Sequence, residues 1–345
     1  TLAPGVSPPQ AGQTGSPGQF GTRQLYITVD GGRGSSTNYV LDGTYVRSVR
    51  FKNMSLQPNT DTLQEFNLLR STFSTEYGQG QAVVSMVTKS GTNRIHGSGY
   101  EFARNAIFDA RNYFAPAYST VGGAQVFNPK PDFYRHQFGG TVGFPIIKDH
   151  VFMFAGYEGQ RSQRGTLLTA LFPTQNELNG TWDATSSQAL PGPSGPGGFG
   201  YSKTNPAGMT VTNKVAQVLN PTYPVVTSDA ASILGTANYQ RTAPFQDNYD
   251  QYTVRGDWTM SHNSSLFGRY VNFDSFQANP QVIGSTQTNP LIGRNAVLGN
   301  TYLINSKIVN EVRIGWNEFY NIGLGILAIP GTNWAAAEGL NNITA

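Results

Sequence analysis

The sequence predicts a mainly β protein, in which a small α+β unit is followed by antiparallel strands long enough to cross a lipid bilayer. Three observations carry that expectation. Composition is the first: 40 glycines and 12% aromatic residues stand beside only 12% charged residues in a chain of 345, the mix of turn-rich β architecture. The second is a change of pattern near residue 94, where a short β-branched run gives way to period-two alternation. The third is the order of the connections beyond it, which alternate strictly between long and short.

Charge and side-chain inventory remove several classes. A net charge of +3 with no Lys/Arg block and no basic amphipathic helix excludes a nucleic-acid partner. The absence of cysteine excludes a disulfide framework and thiolate chemistry. His96, His136, His150 and His262 lie far apart, without a second ligand at metal-binding spacing, so neither a metal site nor a cofactor is expected. No GxSxG, SxxK or HExxH string is present, and no catalytic residue and no enzymatic activity are expected. The densest apolar run, Val151 to Ala155, is far short of the ~18 residues of a spanning helix. Any membrane crossing is therefore by strands.

Residues 1–23 are rich in Pro, Gly, Gln and Ser and read as a linker. Thr1 to Phe20 lacks the charged and apolar regions of a signal peptide, and the chain reads as an internal piece of a longer polypeptide. Residues 24–93 read as a compact unit. Leu25 to Val29 is a strand, Asp30-Gly31-Gly32 a turn, and Asn38 to Leu41 a second strand ending in an Asp42-Gly43 turn. Thr60 to Phe66 reads as helical, with Thr60 and Asp61 as N-caps and Leu63 and Phe66 on one face, and Phe66 to Ser71 as a further strand. Ala82 to Thr88, β-branched and flanked by glycines, fits a strand buried on both faces. Gly91, Thr92 and Asn93 form the hinge to the longer strands downstream. The strings Gly31 to Gly34 and Gly78 to Gly80 match no phosphate-binding loop and read as turns.

From residue 94 to 345 seven strands are expected: Ile95 to Arg104, Phe133 to Phe144, His150 to Gln160, Asp250 to Met260, Ser265 to Asp274, Asn295 to Ile304 and Ile308 to Phe319. Each has about the ~9–11 residues of a tilted transmembrane strand. Long connections at 105–132, 161–249 and 275–294 alternate with tight turns, as in an up-and-down membrane barrel with its loops outside the cell. Ala189 to Gly200, within the longest connection, has the composition of a flexible segment. Side chains alternate to match. Tyr252, Val254, Trp258 and Met260 share one face, with Gln251, Thr253, Arg255, Asp257 and Thr259 on the other. Tyr134, Phe138 and Val142 oppose Arg135, Gln137 and Thr141, and Val312, Ile314 and Trp316 oppose Glu311, Arg313 and Asn317. The strand from His150 is apolar on both faces, which fits packing on the small unit or a soluble core.

Tyr39-Val40-Leu41-Asp42-Gly43, Asp61 to Phe66, Thr75 to Gly78 and Val83 to Gly91 resemble the plug domain of a TonB-dependent outer-membrane transporter. His96 to Phe102, Asp109 to Asn112, Gln137 to Gly140, Gly143 to Asp149 and Phe152 to Gly159 are similar to the first barrel strands of the group that carries an N-terminal carboxypeptidase-regulatory-like domain. The resemblance covers residues 20 to 160 in sequence and 250 to 320 in pattern. It implies a plug at 24–93 inside a barrel of about 22 strands, of which the seven here are the N-terminal part. It also implies the outer membrane of a Gram-negative-type bacterium, with outer-membrane lipid and the TonB energy-coupling complex as partners. The cargo would be an unknown imported ligand: a carbohydrate, a peptide or a metal chelate.

Ligand-binding residues expected at the mouth are Arg33, Tyr45, Arg47, Arg50 and Lys52 on the plug and Tyr113 and Phe114 in the first long loop. A structural or adhesive outer-membrane protein presenting surface loops without import is the competing class.

Overall fold

The computed structural model describes residues 6–7, 27–49, 52–70, 73–78, 80–111, 113, 117–121, 124–127, 130–170, 239–282, 286–322 and 324–326. The expected Leu25 and Tyr26 and the Ala189 to Gly200 segment lie outside the described residues. The N-terminal third forms short strands: β1 (Val6–Ser7), β2 (Thr28–Val29), β3 (Thr37–Leu41), β4 (Thr44–Tyr45), β5 (Leu63–Arg70) and β6 (Ala82–Thr88). β1 pairs with β2, and the others make a four-stranded sheet of order β4-β3-β6-β5, parallel between β3 and β6 and antiparallel elsewhere.

The Asp42-Gly43 turn forms where expected. Both residues have positive φ, 48° and 80°, as a two-residue hairpin turn that follows strand twist requires; Asp tolerates that region better than most side chains. The helix expected over Thr60 to Phe66 is replaced. Only Thr60–Thr62 makes a single 3-10 turn, capped by Asn59, whose side chain accepts from the Asp61 N–H. From Leu63 onward the chain pairs with β6. A seven-residue stretch gains too few internal hydrogen bonds to offset helix nucleation, whereas a strand there completes the sheet beside β6. Among the described residues no α-helix is present.

Beyond residue 94 lie β7 (His96–Asn105), the short hairpin β8 (Tyr118–Val121) and β9 (Ala124–Phe127), then β10 (Phe133–Ile147), β11 (Val151–Ala170), β12 (Tyr239–Ser261), β13 (Ser264–Pro280), β14 (Thr286–Asn305), β15 (Ile308–Asn321) and β16 (Leu324–Ile326). They form an antiparallel sheet in the order β15-β14-β13-β12-β11-β10-β7, with β16 added to β14. Every expected strand is present. β11 to β14, however, run past their expected ends on the side of the long connections. The described strands therefore take up residues 161–170 and 239–249 of the connection expected at 161–249, and 275–280 and 286–294 of the one expected at 275–294, while the one at 105–132 holds the β8–β9 hairpin.

The alternation of side chains is realised on both faces. Trp258, Val312 and Trp316 are 46%, 49% and 51% exposed, and with Tyr252, Val254, Met260, Tyr270, Leu298 and Ile314 they make a broad apolar outer surface. On that same face the surface turns polar one step beyond Tyr252. Asp250 binds Arg161 and Tyr157, Asn272 binds Asp274 and Arg294, and Arg294 pairs with Glu318. Apolar side chains thus fill the stretch of β12 between its tight turn and Asp250, close to the ~9–11 residues a bilayer core demands. The strand extensions rise above that level.

The inner face covers the small sheet. Tyr39, Leu41, Val46, Met54, Leu56, Val84 and Met86 share one buried cluster with Tyr249, Val271, Phe273 and Leu291 from β12, β13 and β14. Contact is close: a Cβ added at Gly293 would lie 2.6 Å from the Ser55 carbonyl oxygen. The apolar inner residue of β11, Phe154, is likewise buried, on the same side as Gly156, whose added Cβ would touch Thr62.

Candidate functional site

Two features of the inner face concentrate polar chemistry. The first is at the Asp42-Gly43 turn. Asp42 is a turn residue by backbone and a buried anion by side chain. Its Oδ1 accepts from the Thr88 N–H at 2.9 Å and from Arg255 Nη1 at 3.1 Å, and its Oδ2 accepts from the Thr88 hydroxyl and from Arg269 Nε, both at 2.9 Å. Arg269 is fully buried at its side chain and donates Nη2 to the Leu41 carbonyl as well. Arg255 pairs with Asp257 and lies 4.9 Å over the Phe267 ring. Two arginines from neighbouring strands therefore grip one carboxylate of the small sheet, and Asp257 supplies the second negative charge. An ion pair this buried holds only because every carboxylate lone pair is met.

Next to this grip is a cavity of about 520 Å3 between the hairpin turn and β15, lined by Tyr45, Glu76, Tyr77, Glu311 and Arg313 among others. Burial, reinforced by Glu76, pushes the Tyr77 hydroxyl above the usual tyrosine value.

The second feature centres on Glu158, buried in β11. Tyr100 donates to its Oε2 at 2.6 Å, Gln137 Nε2 donates to the same oxygen at 3.2 Å, and Tyr249 donates to Oε1. Asn59, from the small unit, reaches the Tyr100 hydroxyl at 3.1 Å. A smaller polar pocket of about 210 Å3 opens beside this hub.

The residues expected to hold ligand do not converge on one point. Arg33 is exposed on the turn after β2. Tyr45 is on β4 and lines the larger cavity. Arg47 turns back to donate to the Asn38 side chain, and its carbonyl accepts from Asn317. Lys52 is half-buried at a positive φ of 59° in the tight hairpin closed by the Arg47–Met54 bridge. Tyr113 is exposed; Arg50 and Phe114 lie outside the described residues. None of the described ones lines the polar pocket.

The connector at Gly91, Thr92 and Asn93 is fastened to the large sheet. Asn93 and Asp149 exchange two hydrogen bonds, at 2.6 and 2.8 Å, and a Cβ at Gly91 would come within 2.4 Å of the Met153 carbonyl oxygen. The residues that sequence reasoning did not single out are Arg269, Glu158, Gln160 and Gln251. Their signal was available as charge or amide at inward parity within strands whose other face is apolar.

A protein-family model for an outer membrane beta barrel domain matches residues 87–345. The chain belongs to the outer membrane beta-barrel domain family. As a member it resides in a bacterial outer membrane, and the large sheet is barrel wall with lipid on its apolar face. It is 26% identical over 172 residues to the TonB-dependent transporter Oar of Myxococcus xanthus, a match that covers 48% of this chain and 16% of Oar. In fold it is similar to the outer membrane transporter YddB from Escherichia coli, with a TM-score of 0.50 and 11% identity over 92% of this chain and 35% of YddB. A variant of the ferric enterobactin receptor PfeA from Pseudomonas aeruginosa matches at a TM-score of 0.41 and 13% identity, covering 92% of this chain and 45% of that one. The chain thus spans less than half the length of these relatives.

Proposed function

We propose that residues 24–93 are the plug, and 94–345 the first part of the wall, of a TonB-dependent importer. The ligand is captured from outside, and the energy-coupling complex displaces the plug to open a path. The supporting observation is that, beside the shared apolar cluster, discrete polar contacts tie the small sheet to the inner face, chiefly Asp42 with Arg255 and Arg269. The cavity beside Tyr45 and Arg313 is the start of the path such a displacement widens. Arg33, Tyr45, Arg47, Arg50, Lys52, Tyr113 and Phe114 remain the ligand-facing set in this reading.

The test is a covalent lock. Ser55 Oγ donates to Asn317 Oδ1 at 2.8 Å across the plug–wall boundary, so Ser55→Cys with Asn317→Cys is expected to form a disulfide that abolishes TonB-dependent uptake and releases it on reduction. Undiminished uptake by the oxidised protein would sink the reading. A second reading, a surface-presenting protein without import, is favoured by β11 and β12, which at 20 and 23 residues reach well beyond the bilayer. In that case the lock changes nothing and loss of TonB has no effect.

A further inference from the structure

The polar pocket beside Glu158 does more than fill space between plug and wall. Its lining brings together side-chain amides from separate elements, Asn59, Gln137, Gln160 and Gln251, around the Glu158 carboxylate. Gln251 is only 2% exposed, and its Nε2 is a buried donor with no hydrogen-bond partner, an arrangement that is destabilising unless something meets it. The neighbouring groups are held in place. Glu158 is gripped by Tyr100, Tyr249 and Gln137, and Gln160 donates to Asp247, which also accepts from Gln277. The donors and acceptors are therefore preorganised.

Charge and size narrow the occupant. Arg135 and Glu158 put one charge of each sign on the lining, so neither an anionic chelate nor a cationic peptide finds a net counter-charge. At about 210 Å3 the pocket is below the ~300–1,000 Å3 of sites for drug-sized molecules. Tyr249 and Phe273, with ring centroids 5.5 Å apart and planes tilted by 38°, add a small apolar edge. The position fits capture from outside: Gln251 is the chain neighbour of Asp250, where the outer face of the wall leaves its apolar band.

We propose that this pocket binds one ring of an uncharged polyhydroxylated ligand, a sugar unit of a glycan. Hydroxyls donate and accept at once, so a single ring meets the Gln251 donor and the amide oxygens together, while its C–H face packs on the aromatic edge. The proposal rests on the part of the importer reading that makes this face the inner wall of a plugged barrel, and not on import itself.

Its test measures binding separately from transport. The full-length protein in detergent is titrated with glucose, N-acetylglucosamine and maltotriose, and with a ferric catecholate for comparison, by saturation-transfer NMR. At least one sugar is expected to bind, and Gln251→Leu and Gln137→Ala to weaken it about tenfold or more with heat-modifiable electrophoretic mobility unchanged. Ile314→Ala, on the lipid face of β15, is expected to leave the affinity as it was. If Gln251→Leu fails to fold, Gln160→Ala decides in the same way. No sugar bound at millimolar concentration, or binding indifferent to the pocket variants, overturns the proposal. Sugar binding without TonB-dependent uptake removes the import reading and keeps this one; TonB-dependent uptake of the chelate with no sugar bound does the reverse.

Discussion

The two faces of the wall are made by the same strands and stabilised by opposite means. On β12, Tyr252, Val254 and Trp258 are exposed to the outside, while Gln251 and Thr253, alternating with them, are buried and Arg255 half-buried against the small sheet. Outside, apolar side chains need no partner because lipid is the solvent. Inside, each charge is matched to a partner: Asp42 to Arg255 and Arg269, Glu158 to two tyrosines and a glutamine. The lesson is that exposure and hydropathy have no fixed relation in this molecule; the medium on each side sets it.

The sharpest way to break the inner half of that comparison is to remove its central anion. Asp42→Ala leaves Arg269 and Arg255 without their shared carboxylate in a nearly dry site, and a loss of about 3–5 kcal/mol is expected, read from the urea midpoint of plug unfolding in the detergent-solubilised protein. Replacing Arg269 by Leu in the same variant should recover part of it. A loss below about 1 kcal/mol, in the range of an exposed pair, would mean that water already reaches the turn.

The outer half is tested by placing a charge in the apolar band. Val254→Arg sits near its middle, and folding into lipid vesicles should weaken by about 2–4 kcal/mol. The same substitution at Tyr320, beyond the Glu318–Arg294 pair, should cost only ~0–1 kcal/mol. Equal costs at the two depths would remove lipid from the outer face. A smaller effect is expected where the faces meet: Gly91→Ala puts a Cβ against the Met153 and Phe144 backbone, and about 1–3 kcal/mol of overpacking should appear as a lowered melting temperature. Unchanged melting would show that the connector yields.

Much of the wall was legible because lipid imposes a strict period of two, and strands meeting that demand announce themselves. The extensions were not, since 239–249, 275–280 and 286–294 stand above the bilayer, where neither face is forced to be apolar and the alternation fades. The strand at Leu63–Arg70 was misread at its start because Thr60, Asp61, Leu63 and Phe66 satisfy helical spacing locally, and pairing with β6 outweighs it. Phe152 to Ala155, ambiguous in sequence, resolves once Phe154 is seen buried on the plug side. The polar pocket was invisible for a different reason. Its residues come from the 57–60 segment and from β10, β11, β12 and β13, and no local pattern joins positions so far apart.

The reciprocal bonds between Asn93 and Asp149, with Gly91 wedged against the β10 and β11 backbone, make the downstream end of the small unit a mooring. Traction from upstream would have to peel the strands one after another and would stop there. Under the proposed displacement, whatever left the lumen would stay on a short leash, and its return would be a local rewinding, with little of the entropy loss that a free segment would suffer on being captured again.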